Sequence, residues 1–246
     1  KIAGMKPLQV LVLLAAAAFA ACNSKPSTPA SPSETVTGLT ISPATDFLKL
    51  KATERFTATA RLGDGNTRDV TARWSSDAVH IATVDGGGLV TAVGVGSATI
   101  VADYEGQRAT RLIQVLPDYA GRWAGEFVVG ECSVSGAFQA QWCQQIRASS
   151  PFPARLDLVQ TRNAISGSWT LQEDATSTVT GTVESNGTLR LQGSVHRGDV
   201  TTTISSWEST TADNAVMTGG FTLTWKAGLP GQATTEVTLR NFRKRP

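Results

Sequence analysis

The sequence is poor in the residue types that most often carry catalysis, hold metals or bind nucleic acids. Net charge is +2 and charged residues make up 17% of the chain, so no basic surface favours nucleic-acid binding. Histidine occurs only at His80 and His196, and His196 falls on a predicted turn. Glu184, Glu208 and Glu236 are scattered and lack the spacing of a paired-carboxylate site. We therefore predict that the protein is not an enzyme and binds neither a metal nor a cofactor.

Long hydrophobic runs are also scarce, and the most apolar stretch lies near the N-terminus. "LQVLVLLAAAAFA" is shorter than a comfortable membrane span and ends in "FAAC", with two small residues before Cys22. This ending resembles the lipobox of bacterial lipoproteins, apart from Phe19 where leucine is usual. The resemblance implies that residues 1–22 are a signal peptide and that Cys22 becomes a lipidated N-terminus. The alternatives are an ordinary secretory signal or a retained anchor.

A segment rich in Pro and Ser follows this cysteine. Residues 23–35 contain "NSKPSTPASPSET" and show no apolar periodicity, so we predict a disordered tether before the first folded domain. Asn23 rather than aspartate follows Cys22, which resembles lipoproteins sorted to the outer membrane. We predict a cell-envelope protein bound to a membrane through its lipid. In a host with two membranes that membrane is the outer one, and otherwise it is the exterior of the cell membrane.

Cysteine is rare, and the number of cysteines is odd. If Cys22 carries lipid, Cys132 and Cys143 remain as a pair in an oxidising compartment, so we predict a disulfide between them. Closing a loop of this size stabilises the fold by about 2–3 kcal/mol in the chain-entropy account. A zinc site needs more ligands, and no histidine lies near the two cysteines.

Residues 36–117 alternate short apolar strands with turn residues. Seven strand candidates, without helical periodicity, predict a β-sandwich: "TGLTISP", "RFTATARL", "DVTARWSS", "HIATVD", "GLVTAVG", "SATIVADY" and "TRLIQVLP". "GDGN" at residues 63–66 predicts a hairpin turn. The glycine-rich run "VDGGGLVTAVGVGSATI" lacks the third glycine of a dinucleotide fingerprint and the Gly-Lys-Ser/Thr of a P-loop, so its glycines are assigned to turns.

Several landmarks of this segment resemble a known family. "LTISP", the "DVTARWSS" stretch at 69–76 and "ATVD" at 82–85 come in the order found in the bacterial Ig-like domain, group 2, of intimin and invasin stalks. The resemblance implies a non-catalytic spacer or adhesion module at a cell surface. By the same resemblance, such domains sometimes bind carbohydrate or peptide. We therefore expect a cell-surface protein, a carbohydrate or a small apolar ligand as the partner of this chain.

Residues 118–246 contain eight further strand candidates, several of which alternate apolar with polar residues. "NG" at 186–187 is typical of a two-residue hairpin turn. Closing eight antiparallel strands into an up-and-down β-barrel buries the apolar face and removes the sheet edges. We therefore predict an all-β protein with an Ig-like sandwich followed by this barrel. A second sandwich is the alternative.

The "GRW" at residues 121–123 resembles the G-x-W of lipocalin-like (calycin) barrels. The resemblance implies that Trp123 and a cation of the last strand, Arg240 or Arg243, close one end of the barrel. It also implies an apolar ligand cavity, to which a fully packed core is the alternative. Residues 131–150 are predicted to be a loop at the barrel mouth, pinned by the disulfide.

One surface tripeptide, Arg197-Gly198-Asp199, has the sequence that integrins recognise and falls on a predicted turn. Gly-Asp is also ordinary turn chemistry, so chance occurrence is the alternative. The leading interpretation of the whole chain is a monomeric, non-catalytic, lipid-anchored surface protein whose Ig-like domain presents the barrel. The other candidate is a carrier of a small apolar ligand in that barrel.

Overall fold

The computed structural model describes residues 35–171, 175–228 and 230–246. The chain divides into two units, Lys1–Glu34 and Thr35–Pro246, and the second unit contains all the described strands and the helix. The predicted signal peptide, the lipidation of Cys22 and nearly all of the predicted tether lie outside the described residues. Within the described part, the predicted all-β architecture is confirmed, with a sandwich followed by a closed eight-stranded barrel.

Ten short strands form the N-terminal sandwich, in three sheets with the orders β1-β4-β5, β2-β10-β9-β6 and β3-β8-β7. They are β1 (Val36–Ser42), β2 (Phe47–Lys49), β3 (Thr53–Arg55), β4 (Thr57–Leu62), β5 (Thr67–Val70), β6 (Arg73–Ser76), β7 (Ala82–Val84), β8 (Leu89–Ala92), β9 (Gly96–Tyr104) and β10 (Gln107–Leu116). The seven predicted strands are present. Two further strands, β2 and β3, were not predicted from the sequence. The predicted strand "DVTARWSS" is divided in the structure between β5 and β6.

The core of the sandwich is small and consists mainly of aliphatic side chains, which suits such short strands. Phe56, Ile100, Ile113 and Val115 are at most 1% exposed and pack among alanines from β4, β7, β8 and β9.

The glycine-rich run contains β8 and the start of β9. Gly86 and Gly87 lie in the turn before β8 and Gly94 in the bend before β9, as predicted, whereas Gly96 begins β9. At Gly88 the backbone has φ of +79°, and an added Cβ would lie 2.2 Å from the carbonyl oxygen of Phe56. A side chain there is excluded by both conformation and contact.

Eight antiparallel strands form the C-terminal barrel, and β11 closes it by pairing with both β12 and β18. They are β11 (Gly121–Gly136), β12 (Phe152–Thr161), β13 (Ala164–Leu171), β14 (Ala175–Val183), β15 (Leu189–Arg197), β16 (Val200–Thr210), β17 (Val216–Lys226) and β18 (Gly231–Arg245). The alternative of a second sandwich is wrong. Closure is favourable because it leaves no strand edge unpaired.

Large aromatic side chains fill the middle of the barrel. Trp169 is 1% exposed and meets Phe127, Trp207 and Phe221 at centroid distances of 6.3, 6.0 and 5.0 Å, in edge-to-face arrangements. Trp207 stacks on Phe221 at 4.5 Å with an interplanar angle of 6°. Such pairs add to the burial of apolar area, which is the main stabilising contribution. The centre of the barrel is therefore packed and not hollow.

The sandwich and the barrel are joined by a short segment and share apolar contacts. Leu116, at the end of β10, is fully buried in the barrel's core cluster, and Phe47 of β2 packs against the same cluster. The hairpin turn at Gly187 packs on the sandwich, since an added Cβ there would lie 3.0 Å from Val95 and 3.2 Å from Pro117. Apolar burial across the junction holds the two parts together.

Ion pairs surround these apolar contacts. Arg162, in the turn after β12, binds Asp46 with both carboxylate oxygens engaged, at 2.6 and 2.7 Å. Asp118 lies between Lys49 of the sandwich, at 2.8 Å, and Lys244 of the barrel, at 3.3 Å. These ion pairs bridge the sandwich and the barrel around the apolar contacts.

Asp118 gives the junction a predicted dependence on pH. Burial raises the pKa of Asp118, but the hydrogen bond from Lys49 and the charges of Lys244 and Lys49 outweigh burial and hold the pKa below its usual value. Because the pKa of Asp118 is lower in the folded than in the unfolded state, its carboxylate stabilises the fold at pH values above the unfolded pKa of about 3.9. This stabilisation is lost as the pH falls through the folded-state pKa. Asp118→Asn should therefore lower the free energy of unfolding at pH 7 by less than about 1 kcal/mol, as for solvent-screened pairs.

The measurement is urea unfolding at pH 7 and at pH 3 or below, followed by circular dichroism. The stability difference between the wild type and Asp118→Asn should shrink at the lower pH. Asp157→Asn, at an exposed position on β12, serves as the matched control. A difference between wild type and Asp118→Asn that stays constant with pH would refute the role of this carboxylate.

Candidate ligand site at the open end of the barrel

The end of the barrel that faces the sandwich is closed by Tyr119 and Trp123, both buried. The Tyr119 hydroxyl donates to the carbonyl oxygen of Gly187 at 2.8 Å, and Trp123 Nε1 donates to the carbonyl oxygen of Tyr119 at 2.8 Å. Burial raises the pKa of Tyr119, so the hydroxyl keeps its proton and remains a donor. These two side chains have satisfied polar groups and fill this end of the barrel.

The cation over Trp123 is Lys244, whose Nζ lies 5.6 Å from the ring centroid. The predicted pairing of Trp123 with Arg240 is wrong, because Arg240 is exposed and lies opposite Glu126 of β11. Arg240 follows the buried Leu239 in the regular alternation of β18, so its side chain faces outward. A bulge at Asn241, which has φ of +53°, then adds one residue and shifts the alternation, so that Lys244 rather than Arg243 faces the tryptophan. Arg243, the other candidate, is exposed as well.

The opposite end of the barrel carries a helix where a loop was predicted. β11 continues past the predicted strand end to Gly136, and helix α1 (Ala140–Ala148) precedes β12. The disulfide is confirmed, with a Cα–Cα distance of 5.7 Å between Cys132 on β11 and Cys143 on α1. The bond therefore pins a helix to a strand. The helix lacks a side-chain cap and acidic residues in its first turn, so its sequence carried none of the usual helix-start features.

Helix α1 packs against the mouth of the barrel through aromatic side chains. Trp142 meets Trp225 of β17 edge to face at 4.7 Å and Phe138 at 5.8 Å. Ile146, one turn further along, packs against the barrel's core cluster. These contacts and the disulfide hold α1 beside the open end.

A cavity of about 310 Å³ lies between α1 and the barrel strands. Its most buried lining residues are Phe127, Phe152 and Leu223, which are 3, 8 and 0% exposed. Ile146 and Trp225 line it towards the helix. This volume is at the small end of the range for ligand pockets. The barrel is thus packed at its centre and hollow only near this end.

The outer part of the cavity is formed by the hairpin of β15 and β16. Val195 pairs with Thr202 and Arg197 pairs with Val200, and all four side chains line the cavity. Arg197 is the only ionisable residue among the described residues of the lining. Among residues 35–171, 175–228 and 230–246, no acidic side chain forms an ion pair with it.

The predicted turn is present but shorter than expected: Gly198 and Asp199 form it, whereas His196 and Arg197 belong to β15, and the tripeptide is exposed. Gly198 has φ of +55°, and the turn contains two residues because Arg197 pairs with Val200. Arg197 is two residues after Val195 on β15, so both side chains lie on the face of the strand that lines the cavity, whereas Gly198 and Asp199 do not line it. The tripeptide therefore contributes its arginine to the cavity rim.

Residues 35–108 match the family model of the bacterial Ig-like domain, group 2. The match covers the first nine strands of the sandwich and supports the resemblance found in the sequence.

One curated relative, ice-binding protein 1 of Shewanella frigidimarina, is 39% identical over 69 residues. The aligned part is 27% of this chain, and this chain spans only 8% of the length of that relative. Among solved structures, surface layer protein SbsC domains 4–9 align over 83% of this chain and 31% of theirs, with 15% identity and a TM-score of 0.32. Domains 5–6 of the same protein align over 83% of this chain and 96% of theirs, with 16% identity and a TM-score of 0.29.

A second concavity, of about 810 Å³, lies on the outer face of β14, β15 and β16. Threonine and serine side chains predominate in its lining. Arg190 lies there between two carboxylates, Glu184 at 2.6 Å and Glu208 in close contact. The charged side chain in this lining is therefore already paired.

Neither the Ig-like domain nor the barrel presents a recognisable metal site in the described part of the chain. No group of three or more His, Cys, Asp or Glu side chains there could hold an ion. His80 is exposed on a turn of the sandwich, and His196 Nδ1 contacts the Thr201 hydroxyl at 2.9 Å. No described helix has the length and apolar character needed to cross a membrane.

Proposed function

We propose that this protein is a non-catalytic surface protein whose Ig-like domain presents a barrel that binds a small apolar ligand at its open end. The observation that carries the proposal is the cavity beside α1. Its deepest lining is aromatic and aliphatic, it is of ligand size, and it lies at the barrel end opposite the junction with the Ig-like domain. Apolar burial in such a site favours an apolar group over water.

The Ig-like domain acts in this proposal as a stiff spacer. Supporting features are the short segment between β10 and β11, the Leu116 and Phe47 contacts with the barrel core, and the ion pairs of Asp46 and Asp118. A spacer that orients the barrel keeps the open end away from the sandwich and free for the ligand.

We also propose that the chain is held at the cell envelope through lipid on Cys22. This part rests on the sequence "FAAC" and on the Pro- and Ser-rich segment that follows it. The disulfide supports export, because such bonds persist mainly in oxidising compartments.

Mass spectrometry of the chain purified from its host tests both parts. In native conditions the intact protein should carry an additional mass from a small apolar ligand. Denaturation should release that mass while the mass of the lipid on Cys22 remains. A native mass equal to the denatured mass would count against the ligand site, and an unmodified Cys22 would remove the anchor.

Adhesion through the Arg197-Gly198-Asp199 turn is the second candidate. The exposure of this two-residue turn favours it. A ligand-free native protein that still binds host cells through this turn would support adhesion over the carrier function.

A further inference from the structure

We propose that the cavity beside α1 takes a single-chain amphiphile with an anionic headgroup, and that the Arg197 guanidinium binds this headgroup. The inference rests on the proposed function and adds the chemical class of the ligand. It is carried by three observations: an exposure gradient along the cavity, the size of the cavity, and a cation at its rim that has no acidic partner among the described residues.

The exposure gradient orients the ligand. At the inner end, Leu223 and Phe127 are 0 and 3% exposed, whereas Val200 at the outer end is 36% exposed. An apolar tail gains most from the inner end, because apolar area leaves water completely there. A charged headgroup is costly inside and remains partly hydrated at the rim. The tail therefore points towards Leu223 and the headgroup towards Arg197.

The cavity volume limits the tail. A closed apolar cavity of about 150 Å³ accepts benzene, so a volume of about 310 Å³ has room for roughly a dozen carbon atoms. One short alkyl chain fits this space, and the two long chains of a phospholipid do not. Helix α1 limits expansion on one side, since the disulfide and the Trp142–Trp225 contact hold it in place.

The cation selects the headgroup. Arg162 and Arg190 already bind the carboxylates of Asp46 and Glu184. Arg197 has no such partner among the described residues, although it lines the cavity. A guanidinium binds a carboxylate through two parallel hydrogen bonds, and it repels a cationic headgroup. Thr202, on the neighbouring strand, adds a hydroxyl to the same rim.

The test titrates the full chain with three probes of equal tail length: decanoate, decanol and decyltrimethylammonium, each below its micelle-forming concentration. Tryptophan fluorescence reports binding because Trp225 lines the cavity, and calorimetry gives the affinity. Decanoate should bind about tenfold more tightly than decanol, as expected for a partly screened charged hydrogen bond. Decyltrimethylammonium should bind most weakly.

Two variants locate the headgroup and the tail. Arg197→Gln should weaken decanoate about tenfold and leave decanol unchanged, since only the charge-assisted contact is lost. Arg240→Gln is the matched control, because Arg240 is an exposed arginine outside the cavity, and it should change neither affinity. Val200→Trp narrows the mouth and should weaken decanoate and decanol alike. Circular dichroism verifies that each variant is folded.

The possible failures are distinguishable. Equal binding of decanoate and decanol, or decanoate binding that survives Arg197→Gln, would overturn the anionic headgroup while leaving an apolar ligand site. Decanoate binding unaffected by Val200→Trp would place the probe outside this cavity and overturn the inference. If none of the three probes binds to the wild type, the proposed carrier function itself is wrong.

Discussion

Trp169→Ala is expected to lower the free energy of unfolding by about 3–5 kcal/mol, the usual cost of removing a large buried aromatic side chain. Trp169 is 1% exposed and contacts Phe127, Trp207 and Phe221 in the middle of the barrel. Its removal leaves a cavity that the surroundings fill poorly, because every strand of a closed barrel is hydrogen-bonded on both sides. The loss therefore includes both burial and packing.

Chemical unfolding monitored by circular dichroism measures this loss. Trp142→Ala is the matched control, since Trp142 is only half-buried on α1 and should cost clearly less. Trp169→Phe keeps most of the ring volume, and Trp169 Nε1 has no hydrogen-bond partner among the described residues, so no bond is lost. Trp169→Phe should therefore lower the free energy of unfolding by much less than Trp169→Ala. Similar losses for Trp169→Ala and Trp142→Ala would contradict the central role of the aromatic cluster.

Removing the disulfide with the double variant Cys132→Ser, Cys143→Ser is expected to cost about 2–3 kcal/mol in the chain-entropy account. The two cysteines are separated by 11 positions and join β11 to α1. Part of the loss should be local, because α1 is a nine-residue helix, and helices this short are unstable without tertiary contacts. Release of α1 would also remove Ile146 from the cavity, so decanoate should bind more weakly.

Unfolding and decanoate titration of the double variant test this expectation. Wild-type protein treated with a reducing agent serves as the control, and it should show the same loss of stability and of binding. Unchanged decanoate affinity in both samples would show that α1 keeps its position without the bond. The disulfide would then contribute to the stability of the fold but not to ligand binding.

Alternation of side chains explains why the barrel strands were predictable. Ile165 and Trp169 of β13 and Leu189 and Leu191 of β15 are all buried, with exposed or half-buried residues between them. This period of two residues is a local property that is visible in sequence. Hairpin turns such as the one at Gly187, with φ of +87°, are equally local. Eight strands and the closed sheet followed from these features.

Other elements depend on contacts between residues that are distant in sequence. β2 is three residues long and exists because it pairs in parallel with β10, more than sixty positions away. Helix α1 lacks capping residues and is held by the disulfide and by Trp225. The Asn241 bulge brought Lys244, and not Arg243, over Trp123. None of these three features has a periodic pattern of its own.

The fold class, the order of sandwich and barrel and the cysteine pair were predictable from the sequence, because they depend on periodicity, turn residues and composition. The packed centre of the barrel and the cavity beside α1 are visible only in the three-dimensional structure. It alone brought Arg197 to the rim of an apolar cavity. A cavity is the space left among side chains from several strands and a helix, so its size and charge arise from three-dimensional packing and not from any local pattern.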